Sequence, residues 1–154
     1  MDYRFAIHGL RLCQQHHALL VLETAERDYR LQIAVDAQDA EAFRAENAGT
    51  LTLRSRMGFA LALILERIGV ALPGVHLRCS AARQLEAYLL LERGDEPCHT
   101  AINPIDALAL ARLRDLPITG DGSLAPWLQP IEPDPIPLSP PVVAFLSALA
   151  APAD

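Results

Sequence analysis

The sequence contains no lysine, and all 13 of its basic residues are arginine. Against 19 acidic residues, they leave a formal net charge of -6. An acidic chain repels phosphate groups, so this balance disfavours nucleic acid as a partner, although a local arginine cluster can override it. Hydrophobic residues make up 51% of the 154 positions, which is enough for one folded domain.

Cysteine and long apolar runs are also scarce. The three cysteines, Cys13, Cys79 and Cys98, form no CxxC pair, which argues against a zinc ribbon. An odd cysteine count is typical of a reducing compartment. The most apolar window, residues 59–65, is far shorter than the roughly 20 residues that span a bilayer, and the first ten residues do not resemble a secretory signal. We therefore expect a cytoplasmic protein without a membrane partner.

Short strands and polar turns are predicted near the start of the chain. Residues 4–12, 18–23 and 29–35 have strand patterns, and the last of these alternates apolar and polar side chains. A short helix is predicted at 36–47. Residues 55–68 then form the clearest helix, with Ser55 as its expected N-cap and Gly69 as its stop. Its middle is apolar on every side, which predicts burial on more than one face.

The second half repeats this order. Three strands are predicted at 75–80, 84–92 and 96–102, followed by a helix that ends near Arg114 and a short extended piece at 116–118. Prolines cluster after residue 125. We therefore divide the chain into a domain at 1–125 and a proline-rich strap at 126–154. A short apolar helix at 142–150 either docks on the body or contacts another subunit.

Two segments share one local pattern. IAVDAQDAEAFR (33–44) and TAINPIDALALAR (100–112) each follow a hairpin, and each places an Asx residue three positions before Asp-Ala. Asp36 and Asn103 are expected N-caps, and Asp39 and Asp106 then occupy the third helical position. The predicted fold is a single α+β domain with mixed or largely antiparallel sheets, two ββα-like units and a buried central helix.

Two hypotheses remain open for Asp39 and Asp106. In the first, each carboxylate reaches back to the N–H of its cap residue, as in a capping box, and has no other role. In the second, the two carboxylates converge on one cleft, where they bind a divalent cation such as Mg²⁺ or perform acid–base chemistry. Arg54 and Arg56, with Arg44, form either a phosphate-facing patch or a solvated helix entrance.

Residues 5–125 resemble the bifunctional nuclease domain family in element order. The most specific match is NPIDALALA at 103–111, which takes the place of that family's Arg-Pro-Ser-Asp-Ala-Ile-Ala-Leu-Ala. The resemblance implies a soluble α+β protein that degrades RNA and DNA. It also implies a site formed by Arg54, which would neutralise phosphate charge, and by Asp39 and Asp106, which would bind metal or orient water.

The sequence departs from the family pattern in three places. Met57, Gly58 and Phe59 replace Thr-His-Asp at the start of the long helix, which removes a histidine and a carboxylate. Asn103 replaces an arginine, and Asp39 stands where the family usually has glutamate. An alternative is therefore a non-catalytic member that binds a partner or self-associates. A third option is small-ligand binding between the two units. We expect a homo-oligomer.

Overall fold

The computed structural model describes residues 1–13, 17–44 and 53–132, and these form a mixed α+β domain. The elements are β1 (Tyr3–Leu12), β2 (Ala18–Thr24), β3 (Tyr29–Val35), α1 (Ala37–Ala40), α2 (Leu53–Arg67), β4 (Ala71–Cys79), β5 (Leu85–Arg93), β6 (Glu96–Ile102), α3 (Pro104–Arg114), β7 (Ile118–Gly120) and β8 (Leu128–Pro130). A 3₁₀ turn extends α1 over Glu41–Phe43, and a second one covers Gly122–Trp127.

All eight strands belong to one sheet, in the order β6-β5-β4-β7-β1-β2-β3-β8. Every neighbouring pair is antiparallel except β4 and β7, which run parallel. Each half of the sheet is built from consecutive hairpins, and β7 lies between the halves. The predicted ββα units correspond to β2-β3-α1 and β5-β6-α3.

The buried helix of this fold is α3. It packs on β4 and β5, and its apolar side chains from Ile105 to Ala111 are at most 9% exposed. Asn103 caps it as predicted, because its side-chain oxygen accepts from the N–H groups of Ile105 and Asp106 at 2.9 and 3.3 Å. Pro104 occupies the first turn, where no N–H is needed. The helix ends at Asp115, which adopts a left-handed conformation.

The prediction that the central helix is buried is wrong for α2. This helix packs on α3 and β4 with a narrow side on which Ala62 is buried, and it leaves Met57, Phe59, Leu63 and Ile64 exposed. The reason is that α3 covers the sheet beneath it, so α2 forms an outer layer with one inner side. A helix that is apolar all round carries no periodic signal to identify that side.

Two boundaries also differ from the predictions. Ser55 lies inside α2, which includes Leu53, so Ser55 is not the N-cap. The sheet continues beyond the predicted domain limit at residue 125, since β8 pairs with Tyr29–Leu31 of β3. A strand of three residues is too short to show an alternation of apolar and polar side chains, which is why β8 was not predicted. The apolar helix predicted at 142–150 lies outside the described residues.

Gly74 permits the close approach of β4 to the chain entering β7. A Cβ atom at this position would lie 2.8 Å from the carbonyl oxygen of Pro117. That same oxygen accepts a hydrogen bond from the N–H of Val75 at 2.9 Å, so the backbone cannot move away without losing the bond. The parallel pairing of β4 with β7 therefore depends on glycine, which has no Cβ, at position 74.

We expect Gly74→Ala to destabilise the domain by about 1 to 3 kcal/mol, because the added methyl group is forced against backbone. Urea unfolding followed by circular dichroism measures this. Gly122→Ala is the matched control, since its Cβ would meet the nearest atom at 3.7 Å, an ordinary contact. Equal stability of the two variants would show that β4 and β7 tolerate a wider spacing.

Candidate functional site

Asp39 is placed by the first ββα unit. Asp36, at the end of β3, caps α1 by accepting a 2.7 Å hydrogen bond from the N–H of Asp39. The Asp39 carboxylate does not return to the cap, as a capping box would require, but binds the guanidinium of Arg54 on α2. Its side chain is only 21% exposed.

Asp106 is placed by the second unit in the same way. Its own N–H binds the cap residue Asn103, and its carboxylate Oδ1 lies 2.8 Å from Nη1 of Arg54. The side chain is 46% exposed, so it is the more accessible of the two carboxylates. The structure therefore brings together all three residues implied by the resemblance, from three separate helices.

Arg54 lies between the two carboxylates, with Nη2 bonded to Asp39 and Nη1 beside Asp106. Nη1 is buried, and among the described residues it makes no hydrogen bond of regular geometry. Its contact with Asp106 is thus a short ion pair without a well-directed N–H. Two carboxylates against one guanidinium give this triad a net charge of -1 when all three groups are ionised. A phosphate-binding site would need the opposite sign.

The other arginines do not extend the triad into a positive patch. Arg56 is two residues from Arg54, so it points to the opposite side of α2, where it is exposed. Arg44 forms a 3.0 Å ion pair with Glu41. Of the two alternatives for these arginines, the geometry favours the solvated helix entrance.

A cavity of about 500 Å³ opens beside the triad. Arg54, Asp106 and Gln38 form its polar end, and apolar residues of α2, α3 and β6 form the remaining wall. Met57 and Gly58, which replace the Thr-His of the family pattern, both lie in this wall. Position 58, where a histidine of the family pattern could transfer protons, therefore belongs to an apolar wall in this chain.

The residues present do not fit a divalent cation. Both carboxylates are directed at Arg54, which already supplies their positive charge. Within residues 1–13, 17–44 and 53–132, no group of three or more His, Cys, Asp or Glu side chains is arranged to hold a metal ion. The sequence-based suggestion of Mg²⁺ thus has no support from the donor set.

A second polar cluster, not anticipated from the sequence, lies where β4 meets β7. His76 Nδ1 and the hydroxyl group of Thr119 form a hydrogen bond of 3.0 Å, and the same hydroxyl oxygen lies 3.3 Å from the carbonyl oxygen of Val75. The Nε2 atom of His76 faces Asp121 at 3.6 Å. These contacts link β4 to β7 and to the segment that follows β7.

Searches with protein family models and against curated proteins find no match to this chain. In the part of the chain that the structure describes, no helix is long and apolar enough to cross a membrane.

Arg54→Met should destabilise the domain by about 1 to 3 kcal/mol, because it leaves the half-buried Asp39 carboxylate without its charged partner. Asp39→Asn should cost more than Asp106→Asn, since the latter pair is more exposed and more strongly screened. Urea unfolding of the three variants measures the order. Arg56→Met, at an exposed position on the same helix, should change stability by no more than about 0.5 kcal/mol. An equal loss from both arginine variants would show that the ion pairs of Arg54 do not contribute to stability.

Asp121 provides a pH-dependent contribution to stability. The Ser123 hydroxyl, and next the Ser123 backbone N–H, hold the pKa of the Asp121 carboxyl below its ordinary value. A lowered pKa in the folded state stabilises the fold above the unfolded pKa, and the gain disappears as pH falls through the folded pKa. Asp121→Asn should therefore reduce the free energy of unfolding at pH 7 but have little effect near pH 2. Urea unfolding at both pH values, with Asp95→Asn in an exposed turn as control, checks this.

Proposed function

We propose that this protein is a non-catalytic domain of the bifunctional nuclease type, and that it works by binding a protein partner. In this proposal, Asp39, Arg54 and Asp106 clamp α2 to the body of the domain. The exposed apolar side of α2 is the binding surface. The ion pairs of this clamp thus hold the binding surface on α2 in position.

The observation that carries this proposal is the state of Arg54. Its guanidinium is paired with two carboxylates, and the three groups together carry a net charge of -1. A phosphodiester approaching this site would meet repulsion. Of the other two arginines considered for a phosphate-facing patch, Arg56 points away and Arg44 is paired with Glu41. Catalysis of phosphoryl chemistry relies mainly on stabilising negative charge.

The character of α2 supports partner binding. Met57, Ile64 and Ile68 are between 58% and 68% exposed, although they are large apolar side chains. Scattered apolar side chains are normal on a protein surface, but a contiguous group on one helix side marks an interaction site. The clamp fixes the N-terminal half of this helix, which pre-organises its surface for a partner.

Phosphodiester hydrolysis is the second candidate, and one observation favours it. Three residues that are far apart in sequence, and that the resemblance marks as the site, come together at Arg54. Two of them, Arg54 and Asp106, line one cavity. Asp106 is exposed enough to orient a water molecule. In this candidate, Arg54 would exchange one of its carboxylate contacts for a phosphate oxygen.

A cleavage assay separates the two candidates. Fluorescent RNA and single-stranded DNA are incubated with the full chain in Mg²⁺, in Mn²⁺ and in EDTA, beside Asp106→Asn and Arg56→Met. We expect no cleavage above the buffer background in any condition. Arg56→Met is the matched control. A contaminating nuclease would cleave equally in the wild type and in both variants, whereas activity of this chain's own site would be lost only in Asp106→Asn.

Cleavage that is present in the wild type and in Arg56→Met, but lost in a folded Asp106→Asn, would overturn the non-catalytic proposal. A triple change of Met57→Thr, Gly58→His and Phe59→Asp then tests whether the missing groups limit the rate. If it raises cleavage by tenfold or more, corresponding to about 1.4 kcal/mol in the barrier, the apolar wall is the cause of weak activity.

A further inference from the structure

The cavity beside Arg54 is divided into a polar end and an apolar wall. Its volume of about 500 Å³ lies within the range of small-molecule sites. The polar end is formed by Gln38, Arg54 and Asp106. The apolar wall is formed by Met57, Gly58, Leu61, Ile102 and Leu110. A ligand that fills this cavity therefore needs one polar group at one end of an apolar body.

Two side chains at the polar end retain hydrogen-bonding capacity. Asp106 contacts Arg54 through Oδ1, and its second carboxylate oxygen, Oδ2, has no partner among the residues that the structure describes. Within the same residues, the side-chain amide of Gln38 has no partner either. An ionised carboxylate only accepts hydrogen bonds, and the amide oxygen of glutamine also accepts them. The polar group of the ligand is therefore a donor.

The charge of the site selects a cationic donor. Asp39, Arg54 and Asp106 carry a net charge of -1 when ionised, and the whole chain carries -6. An anionic group would be repelled, whereas a single positive charge brings the three residues and the ligand to neutrality. An ammonium group provides that charge with three N–H donors, and it does not need the shell of oxygen ligands that a divalent metal ion requires.

The polar groups lie at the rim of the cavity, and the apolar wall leads inward. Gln38 is exposed and the Asp106 side chain is 46% exposed, whereas Leu110 is 2% exposed. An apolar chain therefore enters first, and its ammonium group stays at the rim, where it remains partly hydrated. A lysine side chain of another protein would enter with its ammonium group first, towards Leu110. This orientation favours a free amine over a lysine.

Gly58 keeps the apolar wall open. A Cβ atom at this position would lie 3.5 Å from Cδ1 of Leu110, which is an ordinary contact, so packing does not require glycine here. Glycine also weakens a helix, and position 58 lies inside α2. Its effect in this structure is to leave space beside Leu110 that a larger side chain would fill.

We propose that this cavity binds a small primary amine with an unbranched apolar chain. The ammonium group donates to Asp106 and Gln38, and the chain lies against Leu61 and Leu110. None of the 154 residues is lysine, so no side chain of these residues supplies such a group. The inference goes beyond the proposed function, which concerns the exposed side of α2.

Isothermal titration calorimetry of the full chain with n-hexylamine at pH 7 tests the proposal. We expect one hexylamine bound per chain, about tenfold or more tighter than each of three analogues. These are 1-hexanol, which lacks the charge, hexanoate, which reverses it, and methylamine, which lacks the chain. Equal affinity for 1-hexanol or hexanoate would show that the charge is not recognised. Equal affinity for methylamine would show that the apolar wall is not used. Either result, or no binding of hexylamine, would overturn the proposal.

Three variants locate the bound amine. Asp106→Asn should weaken hexylamine binding by about tenfold or more, because it removes the charged acceptor. Glu66→Gln is the matched control, since it removes the same charge from an exposed position on α2 and should leave the affinity unchanged. Gly58→Leu should abolish binding, because its side chain fills the cavity. Equal losses in Asp106→Asn and Glu66→Gln, or full binding to Gly58→Leu, would place the amine elsewhere and overturn the proposal.

Thermal unfolding of the wild type covers the case in which a variant does not fold. Hexylamine should raise the unfolding temperature, because it binds the folded state, and methylamine at the same concentration should not. Equal shifts would overturn the proposal.

Nα-acetyl-lysine methylamide tests the alternative source of the ammonium group. It should bind about tenfold or more weakly than hexylamine, because its ammonium group would have to enter the apolar part of the cavity. Equal or tighter binding would overturn the assignment to a free amine and indicate a lysine of a bound protein. The cleavage assay reports on the proposed function separately, so failure of amine binding leaves the non-catalytic assignment standing.

Discussion

The three residues of β7 join the two halves of the sheet, and the arrangement of the domain depends on them. Ile118, Thr119 and Gly120 pair in parallel with β4 on one side and antiparallel with β1 on the other. Because α3 immediately precedes β7, this docking also fixes α3 against the sheet. It thereby sets the position of Asp106 relative to Arg54. The clamp on α2 is thus a consequence of a strand that lies outside the candidate site.

Much of the fold was predictable from local patterns. The hairpins and α3 follow from alternating apolar residues, caps and turns, and the N-caps at Asp36 and Asn103 are confirmed. The burial of α2 was not predictable, because FALALIL has no polar side and only the presence of α3 decides which side faces inward. The strand order was also beyond local patterns, since β7 and β8 are three residues long and owe their places to backbone pairing.

For the candidate site, the sequence suggested three residues, and the structure adds how they contact one another. The shared pattern at 33–44 and 100–112 predicted that Asp39 and Asp106 begin helices, and the resemblance grouped them with Arg54. The capping-box hypothesis was wrong because a guanidinium offers each carboxylate a stronger, charge-assisted partner than a backbone N–H. Both carboxylates reach Arg54 only because the sheet sets the distance between the two ββα units. Any nuclease activity, like the role of the Asp39–Arg54–Asp106 clamp, stays a proposal.

The order of the strands also has a consequence for how the chain folds. β1 to β3 form one set of hairpins, and β4 to α3 form another, so each half is held by contacts between neighbours in sequence. Such local contacts form quickly, whereas contacts between distant segments must first overcome the entropy of closing a loop. Insertion of β7 between β4 and β1 unites residues more than 110 positions apart. We therefore expect the meeting of the two halves, rather than the formation of either half, to limit the folding rate.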